Sequence, residues 1–479
     1  MTSGDPIRHV ILLILENHSF DQMLGGMTKA CPGLDGVDGT NPGVNSDKAG
    51  VRYAQKETRE TQMVHDPIHE HLDVIEQLGN GDNSGFVKNF EKHYGWKATT
   101  KERQAIMGYY PEDYLPATHT LARHFTVCDH WFSSLPGPTW PNRFFALSGT
   151  CMGNMEMLPT MNREALGNIF SAQSQDTIFD RLDGKRSWNV FYYDFPCSLL
   201  LKNLRTRDRL KKYRPIANFF ALCEGDENNF PEFSFIEPKY YGLDQNDDHP
   251  PHNTMKTQKL IADVYNAIRS NDKLWESSLL VVFYDEHGGF YDHVIPPAAV
   301  PPDEYTKDFA FDKLGVRVPA LLISPWVEAR VEKTVFDHTS FLKFILDKWS
   351  LPPLTKRVSA ANSIATALRP TMRTDTPQFI RVPYTDLIPQ HAEWELSDLS
   401  KHHNAMFQFL DQVVDAAEHD FGEELLAAGL EFTTTTETWW MGIFGTVGSW
   451  FVSLGHKMAA PLIMARRERV SLKMKSPRR

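Results

Sequence analysis

The sequence predicts an α/β protein with a mostly parallel central sheet and helices on both faces. Three observations carry that expectation. Unbroken apolar runs of strand length recur along the chain, helical patterns alternate with them, and two of the runs end in acidic pairs. Such a sheet gathers its chemistry at the carboxyl ends of its strands, where both pairs fall.

Residues 9–15 (HVILLIL) show no alternation and read as a strand buried on both faces, ending at Glu16-Asn17 before the polar turn SFDQMLGG. Residues 25–50, rich in Gly and Asn, read as a long surface loop. Helical patterns follow at 70–90 and 142–150, then strands at 188–195 (WNVFYYDF) and 232–237 (EFSFIE). A second long loop, 239–254, leads into a helix at 257–271 (TQKLIADVYNAIRSN). The strand at 278–285 ends in Asp285-Glu286 and runs on to His287-Gly288-Gly289. A strand at 316–324 (VRVPALLIS) and helices at 338–349 and 396–418 complete the body. There is no internal repeat.

A chain of 479 residues has room for a large core, and its composition is that of a soluble globular protein. The net charge of −11 divides unevenly, +6 over residues 433–479 and −17 over the rest. An acidic body argues against non-specific nucleic-acid binding. Five cysteines without CxxC spacing suggest neither a zinc site nor a disulfide scaffold. The N-terminus lacks a basic region and a small-residue cleavage site, so no classical signal peptide is expected. The expected location is cytoplasmic, or exported by a signal-independent route, with membrane association.

The chain divides into a body, 1–431, and a tail, 432–479. In the tail, Trp439, Trp440, Ile443, Phe444, Val447, Trp450, Phe451 and Leu454 fall at helical spacing to make one wide apolar face. The uncharged stretch 438–455 is short for a membrane span and rich in glycine, and a basic segment follows it. An interfacial helix, giving peripheral membrane contact, is the expectation. Packing of that face on the body is the structural alternative.

Glu16, Asn17, Asp285 and Glu286 offer hard oxygen ligands suited to one divalent cation. Ca²⁺, Mg²⁺ and Mn²⁺ fit such a set, and Fe²⁺ or Zn²⁺ remains compatible. As local features alone, the same residues also read as caps and turn formers. Thr139 follows a Gly-Pro turn in LPGPTWPNR and stands near a helix start, where an anion is welcome. It reads either as a metal-activated nucleophile or as an N-cap. Of the 19 histidines, His69, His249 and His293 lie in polar loops beside Asp and Pro, and could protonate a leaving oxygen or contact a phosphate. His338 reads as structural.

These residues sit in blocks that resemble the phosphoesterase family of bacterial phospholipases C, related acid phosphatases and plant non-specific phospholipases C. The blocks are LENHSFDQMLG, HDPIHEH, the long run MGYYPEDYLPATHTLARHFTVCDHWFSSLPGPTWPNRFFALSGT, NDDHPPHNT and DEHGGFYDHVIPP, in the family's order over roughly residues 7–430. His18 and His287 depart from the family's more frequent Arg and Asn. The resemblance implies an alkaline-phosphatase-like fold, a catalytic domain over 1–431, and hydrolysis through a covalent phospho-enzyme. It implies metal ligation by Glu16, Asn17, Thr139, Asp285 and Glu286, with Thr139 as nucleophile. His69, His249 and His293 would serve the phosphoryl group or the leaving alcohol, and Arg143, Trp140 and Tyr110 would bind substrate. An aromatic cage for choline would draw on Trp140, Tyr109, Tyr110 and Trp96. The expected activity is a metal-dependent phospholipase C acting on glycerophospholipids such as phosphatidylcholine; a broad acid phosphatase is the alternative.

Overall fold

The computed structural model describes residues 5–37, 39–157, 173–194, 196–240 and 245–383. The tail at 432–479 and the helix expected at 396–418 lie outside the described residues.

Eight strands form the central sheet: β1 (His9–Leu15), β2 (Thr126–Cys128), β3 (Trp188–Tyr192), β4 (Tyr213–Pro215), β5 (Phe233–Glu237), β6 (Ser278–Tyr284), β7 (Ala320–Ile323) and β8 (Arg330–Glu332). Their order across the sheet is β8-β2-β7-β6-β1-β5-β3-β4. Only β7 runs against its neighbours; the other pairings are parallel. All seven residues of β1 and of β6 are buried, and alternate side chains point to opposite faces, so both faces are covered.

Register brings the acidic pairs together. Leu15 of β1 lies opposite Tyr284 of β6, and the Asp285 N–H donates to the Leu15 carbonyl at 3.0 Å. Leu13 lies opposite Ile236 of β5, so Glu237 arrives one strand away at the same edge. The parallel direction makes all of these carboxyl ends.

Seven helices matter to the site: α1 (Phe20–Leu24), α2 (His71–Leu78), α3 (Phe86–Tyr94), α4 (Pro116–His124), α5 (Thr139–Ser148), α6 (Thr254–Arg269) and α7 (His338–Lys348). Helix α7 packs on α5. Its Phe341 meets Phe233 of β5 and Phe283 of β6, fixing this pair of helices to the sheet. Among the described residues no helix is long and apolar enough to cross a membrane.

Two expectations need correction here. The helical pattern at 70–90 is two helices, because the chain turns at Gly79 (φ +59°) and folds back at Gly85, where a Cβ would lie 1.9 Å from the Glu76 carbonyl oxygen. Helices α2 and α3 close a satellite core over Val74, Leu78, Phe86, Phe90 and Ile106. The long loop at 25–50 also contains a strand, Val44–Ser46, that pairs with Arg52–Ala54.

Candidate active site

Thr139 is the first residue of α5, and Pro138, in extended conformation, precedes it as a cap without a side-chain hydrogen bond. The helix thus starts three residues earlier than its apolar pattern suggested. Asn142 determines where the threonine stands. Its Nδ2 donates to the carbonyls of Gly137 and Pro138 at 3.0 and 3.1 Å, and its Oδ1 accepts from the Leu135 N–H at 3.2 Å. With the preceding turn clasped in this way, the Thr139 hydroxyl donates to Glu286 Oε1 at 2.9 Å.

Around that bond lie Glu16, Asp285 and Glu286, all fully buried. One guanidinium answers them. Arg143, one turn along α5 from Thr139, donates from Nε to Asp285 Oδ2 at 2.6 Å and sets Nη2 3.0 Å from Glu16 Oε1. Its Nη1 meets the Tyr240 hydroxyl at 2.5 Å, and that hydroxyl donates to Glu237. Arg143, expected to bind substrate, is therefore occupied as the counter-charge of the acidic cluster. Burial raises the Asp285 carboxyl above its ordinary range despite Arg143, with Glu16 adding to the rise. Burial and then the Asp285 charge push Glu286 well up. Three carboxylates facing one guanidinium leave an excess of buried negative charge.

The chemistry of the donor set fits a divalent cation. Glu286 Oε2 and Asn17 Oδ1 are buried without a hydrogen-bond partner. Asn17 is held in the left-handed region (φ +76°), an unusual conformation that turns its carboxamide at the end of β1. Gly288 permits that turn, since a Cβ there would lie 2.2 Å from the Asn17 carbonyl oxygen and 2.5 Å from its Cγ.

Two histidines complete the group. His69 Nδ1 donates to the Pro67 carbonyl at 2.7 Å, and His249 Nδ1 to the Pro250 carbonyl at 2.6 Å. A carbonyl only accepts, so each Nδ1 carries the proton and each Nε2 turns toward the acidic group. His69 Nε2 lies 3.7 Å from Glu286 Oε1 and His249 Nε2 lies 3.8 Å from Asp66 Oδ2, with the two rings 5.7 Å apart. Asp66 in turn accepts from Asn17 Nδ2 at 3.3 Å. His338, stacked on Phe283, donates from Nε2 to the Asp285 carbonyl and accepts from the Trp131 indole, which fixes it as neutral; burial lowers its pKa to about 4. It is structural, as expected, and it steadies a site residue.

Other expectations meet different surroundings. His293 Nδ1 is 2.8 Å from Asp21 Oδ2 and its Nε2 is 3.1 Å from Asp35, in an ion-pair group built around Arg317. Both ring nitrogens are thereby engaged by carboxylates, away from the phosphoryl role given to it. Trp140 is fully buried. The Tyr110 hydroxyl donates to the Glu60 carbonyl and lines a separate recess with His18, Gln62 and Thr254. Trp96 is 90% exposed, so it cannot close a cage with a tryptophan sealed in the core. Asp66, Asn142, Glu237 and Tyr240 were not singled out from sequence. The first two lie inside HDPIHEH and LPGPTWPNR, whose density of polar residues was the available signal.

The chain matches the model of the Phosphoesterase family over residues 7–352. It is similar to "Non-specific phospholipase C6" of Arabidopsis thaliana, at 33% identity over 88% of this chain and 82% of that protein. It is also similar to "Non-specific phospholipase C3" of the same plant, at 32% identity over 83% of this chain and 81% of that one. "Phospholipase C B" of Mycobacterium tuberculosis is 28% identical over 72% of this chain and 74% of its own length.

Proposed function

The chain belongs to the phosphoesterase family, and on that premise we propose that it is a metal-dependent phospholipase C of alkaline-phosphatase-like fold. It would cleave glycerophospholipids, phosphatidylcholine among them, to diacylglycerol and a phospho-headgroup. The observation that carries the reading is the Thr139 hydroxyl, at the start of α5, bonded to Glu286 where two parallel strands end in carboxylates. The names of the relatives support the choice of substrate class.

Glu16, Asn17, Asp285 and Glu286, with Thr139 Oγ1, would hold the cation. When bound it would neutralise the surplus carboxylate charge and lower the pKa of the threonine hydroxyl. Thr139 Oγ1 gives its proton to Glu286 Oε1, with His69 Nε2 as the next acceptor, and attacks phosphorus. The bond from phosphorus to the glycerol oxygen breaks in line, and His249 in its protonated form, facing Asp66, gives its Nε2 proton to the departing diacylglycerol. Water then opens the phospho-Thr139 ester, releasing the phospho-headgroup and restoring the hydroxyl. Thr139 opens α5, and a helix N-terminus would favour the phosphoryl oxygens.

The test is mass spectrometry of products from mixed phospholipid vesicles, with and without chelator. Diacylglycerol and a phospho-headgroup that disappear on chelation are expected. Hydrolysis of p-nitrophenyl phosphate with no lipid product would replace this reading with a phosphomonoesterase. The membrane role expected of the tail falls outside the described residues.

A further inference from the structure

Asp248 stands immediately before His249 and is fully buried, with its φ at +85°. That region is uncommon for a residue with a Cβ, and such strain persists only where the surroundings over-determine it. Glycine would take this φ freely. What aspartate adds is a carboxylate, and the carboxylate is engaged. The Tyr284 hydroxyl donates to Asp248 Oδ2 at 2.6 Å. Asp248 Oδ1 lies 3.6 Å from His18 Nε2, the same nitrogen that donates to the Asp248 carbonyl at 3.0 Å.

Both partners come from the strand ends that carry the acidic pairs. Tyr284 is the last residue of β6 and adjoins Asp285, while His18 follows Asn17 beyond the end of β1. The Glu16 N–H also donates to the Asp247 carbonyl at 2.8 Å, and His252 Nδ1 sits 2.5 Å from Asp247 Oδ1. The backbone bonds at Asp247 and Asp248 thus anchor this loop to the end of β1. The Tyr284 bond adds a tie to β6, and it acts on the residue whose conformation aims the next side chain. That side chain is His249, whose Nδ1 donates to the Pro250 carbonyl and whose Nε2 is 3.8 Å from Asp66 Oδ2.

We propose that Asp248, clamped by Tyr284 and His18, is a positioning residue that aims the His249 proton donor at the leaving oxygen. This rests on the phospholipase reading for its purpose. Asp248 itself neither touches substrate nor moves a proton. A misaimed donor slows departure of an alkoxide, which needs the proton, and hardly affects p-nitrophenolate, which departs without one. Damage to Thr139 or to the acidic cluster would slow both leaving groups alike.

The experiment uses the full chain with Tyr284→Phe and Asp248→Ala, and Asp248→Asn as the conservative variant. Asn tolerates the left-handed region and keeps an oxygen for the Tyr284 hydroxyl. The readout is kcat/KM, which spans every step up to loss of the leaving group, on a monomeric short-chain phosphatidylcholine and on p-nitrophenyl phosphocholine. Circular dichroism checks the fold of each variant. Tyr284→Phe should lower the first about tenfold or more and the second by less than about threefold. Asp248→Ala should widen that split, and Asp248→Asn should recover much of the loss on phosphatidylcholine. Tyr284→Phe removes a single buried hydroxyl and keeps the ring, so it decides the matter even where Asp248→Ala fails to fold. Equal losses on both substrates in folded Tyr284→Phe, or no loss on either, would overturn the proposal. A wild type that cleaves only monoesters would reject the phospholipase reading alone, and glycerol phosphate against p-nitrophenyl phosphate would then decide Asp248 by the same contrast.

Discussion

Two buried acidic clusters share their sequence blocks and differ in how their charge is answered. LENHSFD supplies Glu16 and Asn17 to one and Asp21 to the other; DEHGGFYDH supplies Asp285 and Glu286 to the first and Asp292 and His293 to the second. In the second cluster the ligand atoms of Asp21, Asp292 and His293 lie within 4.8 Å of one another, as a metal would require. Arg317 fills that role instead, donating to Asp21 and Asp292 at 2.9 Å each and to the carbonyls of Asp35 and Asp129. Although burial opposes it, the Asp21 hydrogen bond and the charges of Asp21 and Asp292 raise His293 to about 9, so it stands as a second cation at neutral pH. Two cations meet three carboxylates there, and Asp35 is partly exposed. Around Thr139 three sealed carboxylates share Arg143, with Glu237 also within 3.7 Å of its guanidinium. Both clusters gather carboxylates; what separates them is the ratio of acidic to basic groups, three to one around Thr139 and three to two around Arg317.

The sharpest break of this comparison is Thr139→Ala. Turnover should fall by about 10⁴-fold or more while the unfolding midpoint barely moves, because one hydrogen bond is worth only about 1 kcal/mol. A folded variant with wild-type turnover would reject the nucleophile. Next, Arg317→Met should cost about 3–5 kcal/mol in urea unfolding, since it strands two buried carboxylates. That cost should be equal with and without divalent cation; relief by cation would mean that the second cluster binds metal after all.

His293 gives a pH window. Its folded pKa lies above the ordinary 6.5, so its contribution is complete below pH 6.5 and is lost as pH rises through about 9. Allowing for partial exposure, roughly 2 kcal/mol should disappear across that window, and His293→Gln should flatten it. An unchanged slope would remove His293 from the network. The smallest effect has the opposite sign. In chelator, Glu286→Gln should stabilise the protein by about 1 kcal/mol by relieving like-charge burial, while weakening cation binding by calorimetry. Destabilisation in chelator would mean that the cluster is already balanced.

Much of this was legible because the signals were long. Seven unbroken apolar residues in β1 and in β6 leave one interpretation, and the acidic pairs at their ends follow from chain direction. Strands β2, β4 and β8 have three residues each, too few to show a period, and they were missed. The break at Gly79 was hidden because apolar spacing resumes in phase on α3. Partners of Arg143 could not be read at all. Glu16, Glu237 and Asp285 come to it from three strands, and only register brings them within reach. The surroundings of His293 were hidden for a related reason: a His beside Asp reads the same whether the carboxylate polarises it for catalysis or simply pairs with it.

The central place of β1 bears on biosynthesis. Its two neighbours in the sheet, β5 and β6, are made about 220 and 260 residues later. At roughly 5–20 residues per second, HVILLIL waits some ten seconds to a minute off the ribosome with both edges open. A segment of that length, apolar and without Pro or acidic gatekeepers inside it, is a template for cross-chain pairing. Nascent chains of this protein should therefore depend on holding chaperones until residue 284 has emerged, and C-terminal truncations before that point should accumulate as aggregate.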